Sequence, residues 1–192
     1  MGEAMSVVSA DAYMRNRIIL TLTVVALATL CSARAASPYV TAAVPPAACN
    51  VEAYVVDPDP KGLNVRDSPG VNGRVVAVIP ADEDGTVVHL VGSSPNGWVQ
   101  IDRAETIDGT VVFDKKGWVS GNMLGTETRG YGTKGVKLRG EGKGARVVGT
   151  IPPETEVKVT GCAGDRIRVK YRNLTGWLDR DDQCPNPVTL CN

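Results

Sequence analysis

An internal repeat is the feature that most constrains the fold of this chain of 192 residues. The segment GRVVAVIP (73–80) returns as ARVVGTIPP (145–153), with Arg74 matching Arg146 and Pro80 matching Pro152. Three other segments recur in the same order: GLNVRDSPG (62–70) as GVKLRGEGKG (135–144), TVVHLVG (86–92) as EVKVTG (156–161), and GWVS (117–120) as GWLD (176–179). Self-similarity in a constant order predicts two tandem copies of one unit, residues 52–125 and 131–192.

The repeated segments have the period of two that is typical of β-strands. They are short β-branched runs closed by Gly or Pro, and no stretch after residue 36 has a sustained apolar stripe at helical spacing. The first copy also contains RAETIDGTVVFDKK (103–116), which has no counterpart in the second copy. Asp108-Gly109 within it is a type I′ turn signal between two β-prone runs. The sequence therefore predicts an all-β chain in which only the first copy carries a projecting hairpin.

The N-terminal segment has the features of an export signal. MRNR (14–17) is basic, IILTLTVVALATL (18–30) is apolar, and CSARA (31–35) ends in a small-residue cleavage pattern. We interpret residues 1–35 as a signal peptide whose true start is Met14 or whose first 13 residues are dispensable. The alternatives are a lipoprotein anchor at Cys31 and an uncleaved anchor. The mature chain is expected to be secreted or periplasmic, with residues 36–51 as a flexible, Ala- and Pro-rich lead-in and no stable membrane span.

Export makes disulfides the expected role of the remaining cysteines. Zinc is disfavoured because the chain has no CxxC pair and a single histidine, His89. The pairings Cys162–Cys184 and Cys49–Cys191 are slightly preferred, while a small terminal loop closed by Cys184–Cys191 is the alternative. The formal net charge is zero, so charge does not indicate nucleic acid as a partner.

The quoted segments, in their order, resemble the bacterial SH3-like (SH3b) domain. The resemblance is strong for the first copy and moderate for the second. It implies two small, partly open β-barrels in tandem, in which GLNVR is the first core strand and the later Gly-Trp begins a closing strand. Proteins of this family are mostly exported, and their domains often target peptidoglycan or other cell-wall peptides. The structural motif residues are then Gly62, Leu63, Val65, Arg66, Gly117, Trp118, Gly176 and Trp177.

Catalysis is disfavoured by the residues available for it. A cysteine nucleophile needs a histidine partner, but the mature cysteines have bridge partners and His89 lies in a strand. The carboxylate clusters lie in Pro- and Gly-rich turns, where solvated charge is the usual state. Neither DPDPKG (57–62) nor ADEDG (81–85) has the spacing of a known calcium loop, so no metal or other cofactor is predicted. Arg66 is expected to pair with a carboxylate or to cap turn carbonyls.

A binding groove is predicted from aromatic and acidic residues. Its candidate ligand-binding residues are Tyr54, Asp57, Asp59, Trp98 and Tyr131, a set that suits a peptide bearing amines. The alternative is that the aromatic side chains only cover the barrels. The predicted function is non-catalytic binding of peptidoglycan or another cell-envelope peptide. The alternative function is that of an adaptor or inhibitor which binds another secreted protein.

Overall fold

The predicted all-β fold is confirmed by a computed structural model that describes residues 45–142, 144–189 and 191. The predicted signal peptide lies outside these residues. The first strands are β1 (Ala47–Val55), β2 (Leu63–Arg66), β3 (Val75–Ile79), β4 (Thr86–Ser93), β5 (Trp98–Thr106), β6 (Val111–Phe113) and β7 (Gly117–Ser120). After a 3₁₀ turn at Gly121–Met123 come β8 (Leu124–Thr128), β9 (Val136–Arg139), β10 (Val147–Ile151), β11 (Glu156–Ala163), β12 (Arg166–Tyr171) and β13 (Leu174–Leu178), then a second 3₁₀ turn at Arg180–Asp182 and β14 (Gln183–Cys184). Within the described ranges, no helix is long and apolar enough to cross a membrane.

All these strands belong to one open sheet. Its order is β10-β9-β13-β12-β11-β8-β1-β4-β5-β7-β2-β3, with β14 added beside β8 and β6 beside β5. The strands β1–β7, here called the first half, and the strands β9–β13, called the second half, follow one pattern. Counted outward from the centre, β4-β5-β7-β2-β3 on one side corresponds to β11-β12-β13-β9-β10 on the other. The two ends of the sheet, β3 and β10, are therefore equivalent edge strands.

Strand β8 belongs to both halves. Its beginning pairs with β1, Tyr54 opposite Gly125, and its remainder pairs with β11, where Val157 lies opposite Thr126. Strand β14 then pairs with β8 in the second half, as β8 pairs with β1 in the first. Because the predicted first domain ends at residue 125, its boundary falls inside β8, a strand that both halves need.

The predicted lead-in of residues 36–51 is wrong at its C-terminal end. Strand β1 begins at Ala47 and pairs with β4 from Ser93 onward. Backbone hydrogen bonds also join this segment to the second half: Asn50 N donates to Gly164 O at 2.7 Å, and Gly164 N donates to Ala48 O at 2.8 Å. A segment with partners on both sides loses the freedom that its Ala- and Pro-rich composition suggests.

The disulfides differ from the preferred pairing. Cys49 in β1 is bonded to Cys162 in β11, with a Cα–Cα distance of 5.7 Å, and Cys184 is bonded to Cys191. The predicted pairs Cys162–Cys184 and Cys49–Cys191 are wrong, whereas the alternative terminal loop is present. The reason is that β1 passes directly beside the β11–β12 turn, a long-range contact that cysteine spacing does not reveal.

Glycines immediately precede the equivalent strands β2 and β9 for the same steric reason. Gly62 has φ +91°, and a Cβ atom there would lie 2.1 Å from the carbonyl oxygen of Ile79. Gly135 has φ +103°, and its Cβ would lie 2.1 Å from the carbonyl oxygen of Ile151. Any other residue at these positions would meet the neighbouring edge strand. The structural role of Gly62 thus rests on its positive φ and on the close approach of the Ile79 carbonyl.

The closing strands also approach their neighbours closely. A Cβ on Gly117 would lie 2.2 Å from Cγ1 of Val65, and one on Gly176 would lie 2.4 Å from the carbonyl oxygen of Arg139. Leu63 and Val65 are buried, and the core residues of the two halves form one hydrophobic cluster. The glycine of each Gly-Trp motif therefore allows β7 and β13 to pack directly against the neighbouring strands.

The projecting hairpin predicted in the first half is present. Thr106 N donates to Thr110 O at 2.9 Å, and Gly109 has φ +90° in the turn between β5 and β6. The predicted turn type is wrong, because a type I′ turn needs a positive φ at both central residues and Asp108 does not have one. Phe113 of β6 pairs with Ala104 of β5. In the second half, β12 leads straight to β13, so the two halves differ most at this hairpin.

Candidate ligand-binding groove

The predicted ligand-binding residues occupy separate environments. Tyr54 is buried in β1, and its hydroxyl donates to Oε2 of Glu156 at 3.4 Å. Burial raises the pKa of Tyr54, and the negative charges of Glu156 and Glu127 raise it further. Tyr54 is therefore a packed core residue that is inaccessible to a ligand. Tyr131 is 67% exposed in the loop after β8.

The acidic pair of the DPDP segment shapes a turn. Asp57 Oδ1 accepts a hydrogen bond from the backbone N–H of Asp59 at 3.0 Å, and Asp59 Oδ1 accepts one from that of Lys61 at 2.9 Å. Each carboxylate holds the backbone two residues further on, which is the geometry of an Asx turn. These bonds direct the chain into Gly62 and strand β2.

Trp98 lies half-buried beside Arg66. The Arg66 guanidinium lies 5.9 Å from the centroid of the Trp98 ring and donates to the carbonyl oxygen of Gly73 at 2.6 Å. The expectation that Arg66 caps a turn carbonyl is confirmed. This arrangement fixes the β2–β3 turn against β5.

A groove between the two halves carries an accessible aromatic side chain, that of the half-buried Trp177. This junction groove has a volume of about 360 Å³. It is lined by Pro45, Ala47, Ser93, Ser94, Pro95, Glu141, Thr160, Gly161, Cys162, Ala163, Arg168 and Trp177. None of the five predicted ligand-binding residues lines it. Most of its floor is apolar, and its charged groups are confined to one side, as in many ligand sites.

Strands β1, β4 and β11 hold the walls of the junction groove in place. The Cys49–Cys162 disulfide ties β1 to β11, so that Pro45 and Ala47 form one rim. Gly161 allows β11 to approach β4 closely, since a Cβ there would lie 3.0 Å from Oγ of Ser93. The groove is thus built from covalently and sterically fixed elements, and it exists only where the two halves meet.

Glu141 organises the charged side of the groove. Its Oε2 accepts a hydrogen bond from Nε1 of Trp177 at 2.9 Å, and its Oε1 accepts one from Nε of Arg168 at 2.9 Å. The hydrogen bond from Trp177, aided by that from Arg168 and by the guanidinium charge, lowers the pKa of Glu141, while desolvation opposes the shift. The guanidinium of Arg166 lies 5.2 Å from the centroid of the Trp177 ring. The indole is therefore held in one orientation at the groove wall.

The two equivalent tryptophans differ in accessibility. Trp118 is buried at 7% exposure and Trp177 is half-buried. Their neighbouring strands also differ, because Arg166 takes the position in β12 that Trp98 occupies in β5. The motif that predicts a structural tryptophan thus also supplies a groove residue in the second half.

His89 forms a polar contact across three strands. Its Nδ1 lies 2.7 Å from Oδ1 of Asp102 and its Nε2 lies 3.0 Å from Oδ1 of Asn50. The imidazole therefore faces a carboxylate and an amide on its two sides. The disulfides bind all four cysteines at 49, 162, 184 and 191, so none of them offers a thiolate to this histidine.

Sequence reasoning missed the residues of the junction groove. Glu141 lies in a Gly-rich turn, Pro95 in the turn after β4, and Arg168 in β12. Sequence similarity between the halves could have indicated Arg168. It lies opposite Trp177 in the second half, as Gln100 lies opposite Trp118 in the first. The remainder come together only through the packing of one half against the other.

Comparison with known proteins places a bacterial SH3 domain in this fold. Residues 61–125 match the family model described as "Bacterial SH3 domain". This match begins just before β2 and ends in β8, so it covers most of the first half. No curated protein matches the chain.

Solved structures similar to the chain include two proteins from Trichomonas vaginalis. NlpC2 is 16% identical, with a TM-score of 0.28 over 70% of this chain and 47% of that one. NlpC1 is 17% identical, with a TM-score of 0.29 over 70% of this chain and 45% of that one. The chain thus spans about half the length of the solved structures that it matches.

Proposed function

We propose that this protein is an exported, non-catalytic binding protein that recognises peptidoglycan or another cell-envelope peptide through two SH3-like copies. The observation that carries this proposal is the junction groove, in which a fixed indole borders an apolar floor between the copies. The bacterial SH3 domain at residues 61–125 supports the family context, because such domains often bind cell-wall peptides. The corresponding strand order of the second half supports a second copy of the same unit.

The groove offers the contacts that a short peptide needs. Trp177 provides an aromatic face next to the small side chains of Ala47 and Ala163. Glu141 and Arg168 provide one negative and one positive group, which suit the amines and carboxylates that cell-wall peptides carry. An open groove with few charged groups favours reversible binding over the enclosed, polar environment that acid–base chemistry requires.

The disulfides support export. Two bridges hold the described cysteines, and such bonds persist in oxidising compartments outside the cytosol. The apolar segment at residues 18–30 and the small-residue pattern after it supply a sequence signal for the same route. A secreted or periplasmic location is consistent with a ligand in the cell envelope.

Retention on purified sacculi tests the proposal. The oxidised chain from residue 36 to residue 192 is incubated with sacculi, and the bound fraction is measured. We expect retention, and we expect Trp177→Ala to reduce the affinity by about tenfold or more, as for a central aromatic contact. Tyr131→Ala is the matched control, since this exposed aromatic residue does not line the groove.

Two outcomes would contradict the proposal or its site. Absence of retention by the unaltered chain rejects the proposed ligand class. Retention that depends on Tyr131 and not on Trp177 moves the site to the residues predicted from the sequence. The thermal midpoint of each variant is measured in parallel, so that a loss of folding is not mistaken for a loss of binding.

A further inference from the structure

The two edge strands of the sheet differ in the residues that they expose. Among the described strands, β3 pairs only with β2, and its residues Val76 and Val78 are 47% and 46% exposed. At the position of Val78, the equivalent strand β10 carries Thr150, since each residue lies next to the buried isoleucine that ends its strand. Exposed apolar side chains on a strand with one unpaired edge favour pairing of that edge with another extended segment.

A cleft runs between β3 and the projecting hairpin, and the described part of the second half has no such hairpin beside β10. Its volume is about 480 Å³, and its apolar walls are Val76 and Ala77 from β3 and Val112 and Phe113 from the projecting hairpin. Because the second half lacks this hairpin, β10 has no second wall. The sequence feature that distinguishes the two halves therefore creates the cleft.

Two lysines give the cleft its charge. Lys115 and Lys116 line it directly after the hairpin, and neither ammonium group forms an ion pair with a residue in the described part of the chain. Asp67 also lines it, but Arg74 lies 3.4 Å from its carboxylate and offsets its charge. Asp114 is the remaining acidic group at the cleft. The two lysines thus outnumber the unpaired carboxylates, and the cleft favours a ligand with negative charge.

We propose that the free edge of β3 and the projecting hairpin form a docking cleft for an extended peptide segment of a partner protein that alternates apolar and acidic side chains. The segment adds as a strand beside β3. Its apolar side chains contact Val76, Val112 and Phe113, and its carboxylates pair with Lys115 and Lys116. This docking cleft is separate from the junction groove, and the inference does not rest on the proposed function.

The test uses capped hexapeptides of defined chemistry as probes. One alternates valine and glutamate, a second alternates valine and lysine, and a third alternates serine and glutamate. Binding to the oxidised chain is followed by amide chemical shifts and by calorimetry. We expect the valine–glutamate peptide to bind at least about tenfold more tightly than either of the others, with shifts confined to β3 and residues 111–116. Raising the salt concentration should weaken this binding, because the lysines are exposed to solvent.

Variants at exposed positions assign the contacts without disturbing the core. Val76→Thr with Val78→Thr keeps β-propensity and should weaken binding of the valine–glutamate peptide by about tenfold, through lost apolar contact. Lys115→Glu with Lys116→Glu should reverse the preference towards the valine–lysine peptide. Thr150→Val is the matched control, since it makes β10 resemble β3 without supplying a hairpin, and it should create no second site.

Several results would overturn this inference. These are the absence of binding, equal affinity for all three peptides, or shifts located at β10. Self-association through β3 without peptide binding, detected by sedimentation, would identify a second copy of the chain as the occupant and so reject the partner segment. Trp177→Ala should leave peptide binding unchanged, so that failure of the sacculus experiment and failure of this one remain distinguishable.

Discussion

Single glycines determine how closely the strands of this sheet can approach each other. Gly62 combines a positive φ with a close contact to the backbone of Ile79, whereas Gly132 has φ +72° and open space around its missing side chain. The two positions therefore separate the effect of backbone conformation from that of crowding.

We expect Gly62→Ala to destabilise the protein by clearly more than Gly132→Ala. The control substitution introduces only left-handed strain, about 1 kcal/mol, while at Gly62 the new methyl group also displaces the carbonyl of Ile79. Urea unfolding of both variants measures the difference in the free energy of unfolding. Equal losses at the two positions would show that β3 yields to the methyl group and that the close approach is not required.

A group of glutamates lies where β8 meets β11. Glu127 and Glu156 lie directly opposite each other in the strand pair. Burial raises the pKa of Glu127, and the charges of Glu154 and Glu156 raise it further. A carboxyl group whose folded pKa is raised costs no stability in acid, where it is protonated in both states. It costs stability as the pH rises through the folded pKa, because ionisation is then less favourable in the folded protein.

Glu127→Gln should therefore stabilise the protein at neutral pH by roughly 0.5 kcal/mol, the scale of a cross-strand pair of like charges. In acid below the ordinary glutamate pKa of about 4.3, the gain should disappear. Thermal midpoints measured at both pH values test this expectation. The control is Glu83→Gln, at an exposed residue in the turn between β3 and β4. A gain of equal size at both pH values would show that charge is not its cause.

At the scale of elements, local sequence predicted strands and turns but not their partners. The glycine entries to β2 and β9 and the place of the turn at Gly109 follow from local residue type, since glycine adopts a positive φ at each of these positions. The first residues of β1 carry no such signal, because they pair with β4 and with the backbone of Gly164. Strand formation there depends on long-range hydrogen bonds, which composition does not encode.

The candidate site was less predictable than the fold for the same reason. Tyr54 and Trp98 have the residue types of a binding platform, yet the first is buried and the second stacks near Arg66. Trp177 lies within a closing strand that begins at Leu174, two residues before the predicted Gly176 start, and its place in the groove depends on Glu141 and on the opposite half of the sheet. A groove formed between the two halves of the sheet can be recognised only after their packing is known.

At the scale of the whole molecule, the shared strand joins the stability of the two halves. Strand β8 pairs with β1, β11 and β14, and the hydrophobic cluster continues from one half into the other. Separate domains joined by a linker would have independent cores and would unfold independently. Here neither half keeps its complete set of strand partners when the other is lost.

We therefore expect one cooperative unfolding transition, with equal calorimetric and van't Hoff enthalpies. Leu90→Ala, which removes a fully buried side chain from the first half, should cost about 2–5 kcal/mol. Because the halves are coupled, this loss should appear equally in the hydrogen exchange of β12 and of β5. The Cys49–Cys162 bond also connects the halves, so the same measurements in the Cys49→Ser, Cys162→Ser background isolate the contribution of β8. Two transitions in that background, with β12 protection unaffected by Leu90→Ala, would show that the disulfide rather than the shared strand couples the halves.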